Sequence, residues 1–122
     1  MPRYLYLALS DPLPDREDEL DAWYDDIHLA QVVDVPGFVS AQRFSAVETC
    51  DGPVQRRRTL VIYEIDADDP ARVIAEMRTR RGTERLIPSD ALDIRSMFAQ
   101  VYEPRGELVK PLRQDRLDSN QS

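Results

Sequence analysis

Apolar residues recur along this chain in two alternating periods, one of strands and one of helices. Arg3 to Leu9 (RYLYLAL) is almost wholly apolar or aromatic and predicts a buried strand. Asp11-Pro12-Leu13-Pro14 breaks it, and the acidic stretch Asp15 to Glu19 suits a helix N-terminus, where carboxylates meet the positive end of the macrodipole. The helix predicted from there runs to about Val33, with Leu20, Trp23, Ile27 and Ala30 as its apolar stripe. It stops because Pro36 pushes Val35 towards an extended conformation.

Phe38 to Thr49 predicts a second strand, turned by Cys50-Asp51-Gly52-Pro53 into a partner at Arg58 to Ile65. Asp68-Asp69-Pro70 offers a cap for a second helix over about Ala71 to Arg81, with Val73, Ile74 and Met77 turned inward. Asp93 to Glu103 predicts the last strand. From Pro104 the apolar residues thin out, and Ser119 to Ser122 have the composition of a frayed end. There is no internal repeat. Strand, helix, strand, strand, helix, strand with right-handed crossovers predicts an α+β, ferredoxin-like βαββαβ fold, a four-stranded antiparallel sheet with two helices on one face. The domain is expected over residues 1–103. Residues 104–122 form a C-terminal extension, partly flexible or packed on a partner.

Two helices cover only one face of such a sheet, and the other should be polar if it meets water. Here both faces are apolar: Tyr4, Tyr6 and Ala8 oppose Leu5, Leu7 and Leu9, and Val61, Tyr63 and Ile65 oppose Leu60 and Ile62. The last strand offers Ile94, Phe98 and Tyr102 on one side and Met97, Ala99 and Val101 on the other. A bare apolar sheet face is an association site, so a homodimer is expected.

Composition narrows the functions. A chain of 122 residues holds one domain. With 23 acidic against 16 basic residues, its formal charge of −7 argues against nucleic-acid binding. The single cysteine, Cys50, excludes an internal disulfide, and it shows no nucleophile signature. No apolar run reaches membrane-spanning length and no signal-peptide pattern opens the chain, so a cytoplasmic location is expected. HxH, CxxC and HExxH spacings are all missing, so no metal site is expected. The arginines at 56–58, and Arg78, Arg80, Arg81 and Arg85, read as solvated surface, with an acidic ligand as the alternative.

The candidate chemistry is concentrated in Trp23-Tyr24-Asp25-Asp26-Ile27-His28, which holds the only histidine. Helical spacing puts Tyr24 one turn before His28 on the same side, with Asp25 at the neighbouring offset. His28 would be a general acid or base, with Asp25 favouring the imidazolium, or a structural group bonding backbone near Pro36-Gly37. Tyr24 would donate to a substrate oxygen or simply flank Trp23, which reads chiefly as core and otherwise as cavity wall. Tyr6, Tyr63 and Tyr102, on three strands, would line one cavity with Arg43 as anchor for a carboxylate or phenolate, or would be packing. Asp25 and Asp26 point in different directions and belong to a solvated acidic face.

That segment, with Val35-Pro36-Gly37-Phe38 and Ala41-Gln42-Arg43-Phe44, resembles the signature of the EthD-like proteins of the dimeric α+β barrel superfamily. The resemblance extends in pattern over Arg3 to Glu103 and is specific over Tyr24 to Phe44. It implies a homodimer of face-to-face sheets, with a small-molecule cavity in each subunit between sheet and helices and no cofactor. The family's helix histidine falls on His28 and its tyrosine on Tyr24. Many relatives carry a proline soon after the histidine, where this chain has Leu29-Ala30-Gln31. Implied activities are cyclase, dehydratase, decarboxylase or isomerase chemistry on an aromatic, polyketide-like or lactone ligand. The alternatives are a non-catalytic binding or accessory protein of an oxidative pathway, or a cofactor-free monooxygenase.

Overall fold

β1 (Arg3–Ser10) lies inside the sheet, flanked by β3 (Thr59–Asp66) and by the edge strand β4 (Phe98–Tyr102), with β2 (Phe38–Ser45) at the other edge beyond β3. All pairings are antiparallel and the order is β2-β3-β1-β4, the ferredoxin-like arrangement expected from the element order. This is a computed structural model, and it describes residues 3–49, 52–54 and 56–113. Cys50, Asp51 and the end of the extension, including Ser119 to Ser122, lie outside the described residues. No helix among the described residues is long and apolar enough to cross a membrane.

Strand alternation sets which side chains meet the helices. Tyr6, Ala8 and Ser10 are buried, as are Thr59, Val61, Tyr63 and Ile65. Tyr6 stands directly opposite Tyr63 in the register. Leu5, Leu7, Leu9, Leu60 and Ile62 point to the other face and are only half-buried. Phe44 and Tyr102, 41% and 40% exposed, share that open face.

The first helix connects β1 to β2 and departs from a regular α-helix. α-Helical Glu17–Trp23 passes into a π-helical turn, Tyr24–His28, before α-helical Leu29–Val33 completes it. A π turn widens the repeat so that residues five apart overlie. Trp23 accordingly stacks on His28, with ring centroids 4.0 Å apart and planes 20° from parallel. The second helix (Pro70–Arg80) starts as expected: the Asp69 side chain accepts from the Ala71 N–H at 3.0 Å, with Pro70 in the first turn.

Two strand boundaries differ from expectation. β2 ends at Ser45 rather than Thr49. The segment from Asp93 does not enter the sheet at once, because the Asp93 carboxylate accepts from the Arg95 N–H and caps a 3-10 turn, Ile94–Ser96. That turn removes Ile94 from the alternation that placed it beside Phe98. The loop between the second helix and β4 is tied down by the first helix. The Gln31 amide bonds Glu84 O at 2.9 Å and Ile87 N at 2.8 Å, and the Trp23 indole N–H donates to Ile87 O at 2.9 Å.

Candidate functional site

The helices, the sheet and this tethered loop enclose a cavity of about 510 Å³, within the usual range for small-molecule sites. Its floor is made of buried residues, Tyr6, Ala8, Tyr24, Val32, Tyr63 and Met77 among them. Exposed members of the lining, including Arg78, Arg81, Ile87 and Met97, form its rim. Trp23 and His28 complete the wall on the first helix.

His28 owes its position to the π turn. One face of its ring lies on Trp23, and the Tyr24 ring meets it edge-on at 5.6 Å. Its Nδ1 is buried and has no hydrogen-bond partner among the described residues, an arrangement that native interiors rarely tolerate without a purpose. Burial, with a further contribution from the Arg81 charge, lowers its pKa to about 4. At neutral pH the imidazole is therefore uncharged and can accept a proton. This corrects the expected role of Asp25: its carboxylate lies 3.4 Å from the Arg43 guanidinium, and no acid among the described residues supports an imidazolium at His28.

The phenols behave as donors. The Tyr24 hydroxyl shares a buried 2.8 Å hydrogen bond with the Ser10 hydroxyl. Burial raises its pKa, partly opposed by that bond and by Arg43. Burial pushes the Tyr63 phenol far above its ordinary value, and raises Tyr6 against the opposing charges of Arg81 and Arg78. The Tyr6 and Tyr63 rings sit 5.6 Å apart. All three phenols remain protonated at neutral pH around an apolar space. A neutral base facing protonated phenols can move a proton on carbon and hold the oxyanion that results.

Tyr6, Trp23, Tyr24, His28 and Tyr63 thus meet at one cavity, whereas Arg43 and Tyr102 are not part of its lining. Tyr102 pairs with Leu5, which places it on the open face of the sheet. Arg43 is held by Asp21 at 2.9 Å and Asp25 at 3.4 Å, with its guanidinium 5.4 Å from the Tyr24 ring centre. It braces the outer side of the helix. What sequence reasoning missed is the loop: Leu86, Ile87, Pro88, Ser89 and Leu92 line the cavity together with Arg78 and Arg81, two of the arginines for which an acidic ligand was the alternative reading. The apolar Leu86-Ile87-Pro88 run was the available signal.

Among solved structures the chain resembles an ethyl tert-butyl ether D (EthD) family protein of Bacillus halodurans, with 12% identity, a TM-score of 0.51, and coverage of 85% of this chain and 99% of that one. It is also similar to a candidate monooxygenase of Shewanella loihica, at 15% identity and a TM-score of 0.54, over 91% of this chain and 99% of that one. Rv0793 of Mycobacterium tuberculosis matches at 17% identity and a TM-score of 0.53, over 89% and 100%. No protein-family model matches the chain, and no curated protein matches it at a significant level. At these identities the likeness establishes a shared ferredoxin-like α+β fold, while function rests on the site.

Proposed function

We propose that this protein is a cofactor-independent enzyme that transfers a proton on a small aromatic, polyketide-like or lactone ligand, in cyclase, dehydratase, decarboxylase or isomerase chemistry. The observation that carries the reading is a neutral imidazole with an unpartnered Nδ1 beside a cavity of protonated phenols. His28 takes a proton from carbon next to a carbonyl, the C–H electron pair becomes an enolate, and Tyr6 or Tyr63 donates to its oxygen. The imidazolium formed returns the proton at another atom of the ligand. Tyr24, bonded to Ser10, holds the edge of the imidazole in place. Such a transfer is complete with the groups named and needs no bound helper.

The test is exchange in heavy water. Enolisable aryl ketones, β-keto lactones and aromatic keto acids, incubated with the protein and followed by NMR, should incorporate deuterium faster than in buffer alone. Binding of such compounds without any exchange would overturn the enzymatic reading in favour of an accessory protein. The likeness to a candidate monooxygenase favours one further reading. The same enolate or phenolate, once formed, can be oxidised by dissolved oxygen, and oxygen uptake with an anthrone or catechol distinguishes that outcome.

We also propose that the open sheet face packs on a second copy, closing a barrel. Its support is the run of half-buried Leu5, Leu7, Leu9, Leu60 and Ile62 on the side away from both helices. The extension adds to it, with Leu108, Val109 and Leu112 between 85% and 100% exposed. Light scattering after size exclusion should give twice the chain mass of 14.1 kDa, and a monomer at micromolar concentration would refute this.

A further inference from the structure

We infer that Arg78 and Arg81 are the anion-recognition element of the cavity, so that its ligand carries a carboxylate held at the rim above an apolar body. The inference rests on reading the cavity as a ligand site and adds the charge of the ligand to it. Its first support is what the lining omits. In a chain with 23 acidic and 16 basic residues, no aspartate or glutamate among the described residues lines this cavity, and the only formal charges those residues bring to it are the two arginines.

The second support is how the arginines near the end of the second helix divide. Arg80 is buried and satisfied, 3.3 Å from the Asp34 carboxylate and 3.0 Å from that of Glu76. Arg85 also lies within 3.9 Å of Asp34. Arg78 and Arg81 are three residues apart, share the cavity side, and have no carboxylate within ion-pair distance among the described residues. The macrodipole explains why cations are tolerated at a helix C-terminus. It does not explain why these two have no acidic partner among the described residues of an acid-rich chain. Two guanidinium forks presenting parallel N–H donors suit a planar carboxylate.

The third support is that their charge is felt inside. Arg81 acts on His28 and both arginines act on Tyr6. A carboxylate seated between them offsets the Arg81 charge and so makes His28 a stronger base when the ligand is present. Ligand recognition and activation of the base are then one event.

The probes are 4-tert-butylbenzoate and its neutral amide, 4-tert-butylbenzamide, which share an apolar body. Calorimetry measures affinity, and Trp23, the only tryptophan, reports occupancy of the cavity by fluorescence. The benzoate should bind at least tenfold more tightly than the amide. In the Arg78→Gln/Arg81→Gln double variant that ratio should fall to about one, with amide affinity and melting temperature unchanged. In the wild type, benzoate binding should also move the His28 imidazole resonance titration to higher pH. Equal binding of the two probes, or a preference that survives the double substitution, overturns the anion assignment while the cavity reading stands. Failure of both probes to bind or to perturb Trp23 brings down the cavity reading and this inference with it.

Discussion

His28→Gln should slow deuterium exchange by about 10²- to 10⁴-fold, the range that a positioned acid or base contributes. Glutamine retains a polar group beside Trp23 but cannot cycle a proton. The pH dependence follows from the burial of the imidazole. In the folded chain its pKa is about 4 against an ordinary 6.5, so the exchange rate should hold across neutral pH and fall only as pH drops through about 4. Stability carries the same signature. Between those two values the unfolded chain binds a proton that the folded chain does not, so stability declines as pH falls from about 6.5 towards 4. The loss amounts to about 3 kcal/mol and is complete below the lower value. Urea unfolding of both proteins at pH 7 and pH 4.5 isolates this loss, because the carboxylates are common to both and the glutamine variant lacks it. A variant exchanging at the wild-type rate removes His28 from the mechanism. Equal acid sensitivity in the two proteins refutes the neutral, buried imidazole.

The parts of this site written as local periodicity were legible from sequence. Strand alternation put Tyr6 and Tyr63 on the buried face, and register then set them opposite each other. Helical spacing brought Tyr24 and His28 together. What was not legible depended on one-residue departures from those periods. The π turn has no compositional mark in Tyr24-Asp25-Asp26-Ile27-His28, yet it places Trp23, five residues back, flat against the imidazole. The pairing register is also unwritten in the sequence: it sets Tyr102 opposite Leu5 and so sends it away from the other tyrosines. Charge pairing across elements was equally hidden. Arg43 and Asp25 satisfy each other, which removes one as ligand anchor and the other as partner of His28. Arg80 takes Asp34 and Glu76, leaving Arg78 and Arg81 without either.

Gly37→Ala should cost about 3–4 kcal/mol, a large part of the total for a domain of this size. Gly37 lies between the first helix and β2, and its carbonyl accepts from the Asp66 N–H at 2.9 Å, locking that junction to the end of β3. Its φ is +105°, and a Cβ there would come within 2.4 Å of Val73 Cγ2 and 3.1 Å of Cγ1 on the second helix. The left-handed backbone contributes about 1–2 kcal/mol, and forcing a methyl into a packed contact about 1–3 kcal/mol more. Val73 is buried and β-branched, with one favoured rotamer in a helix, so it cannot swing aside. Relief requires the second helix to back away from the sheet, which shifts Ile74, Met77, Arg78 and Arg81 in the cavity wall. Gly82→Ala is the matched control: φ is +84° there, but the added Cβ meets nothing within 4 Å. Only the backbone contribution should appear, about 1–2 kcal/mol. Calorimetry should therefore show a melting temperature lowered by roughly 10–20 °C in Gly37→Ala and by about half of that or less in Gly82→Ala. Equal losses in the two variants would mean that the Val73 contact does not set how closely the second helix approaches the sheet. The cavity floor would then owe its shape to the aromatic cluster of Tyr6, Phe38 and Tyr63 instead.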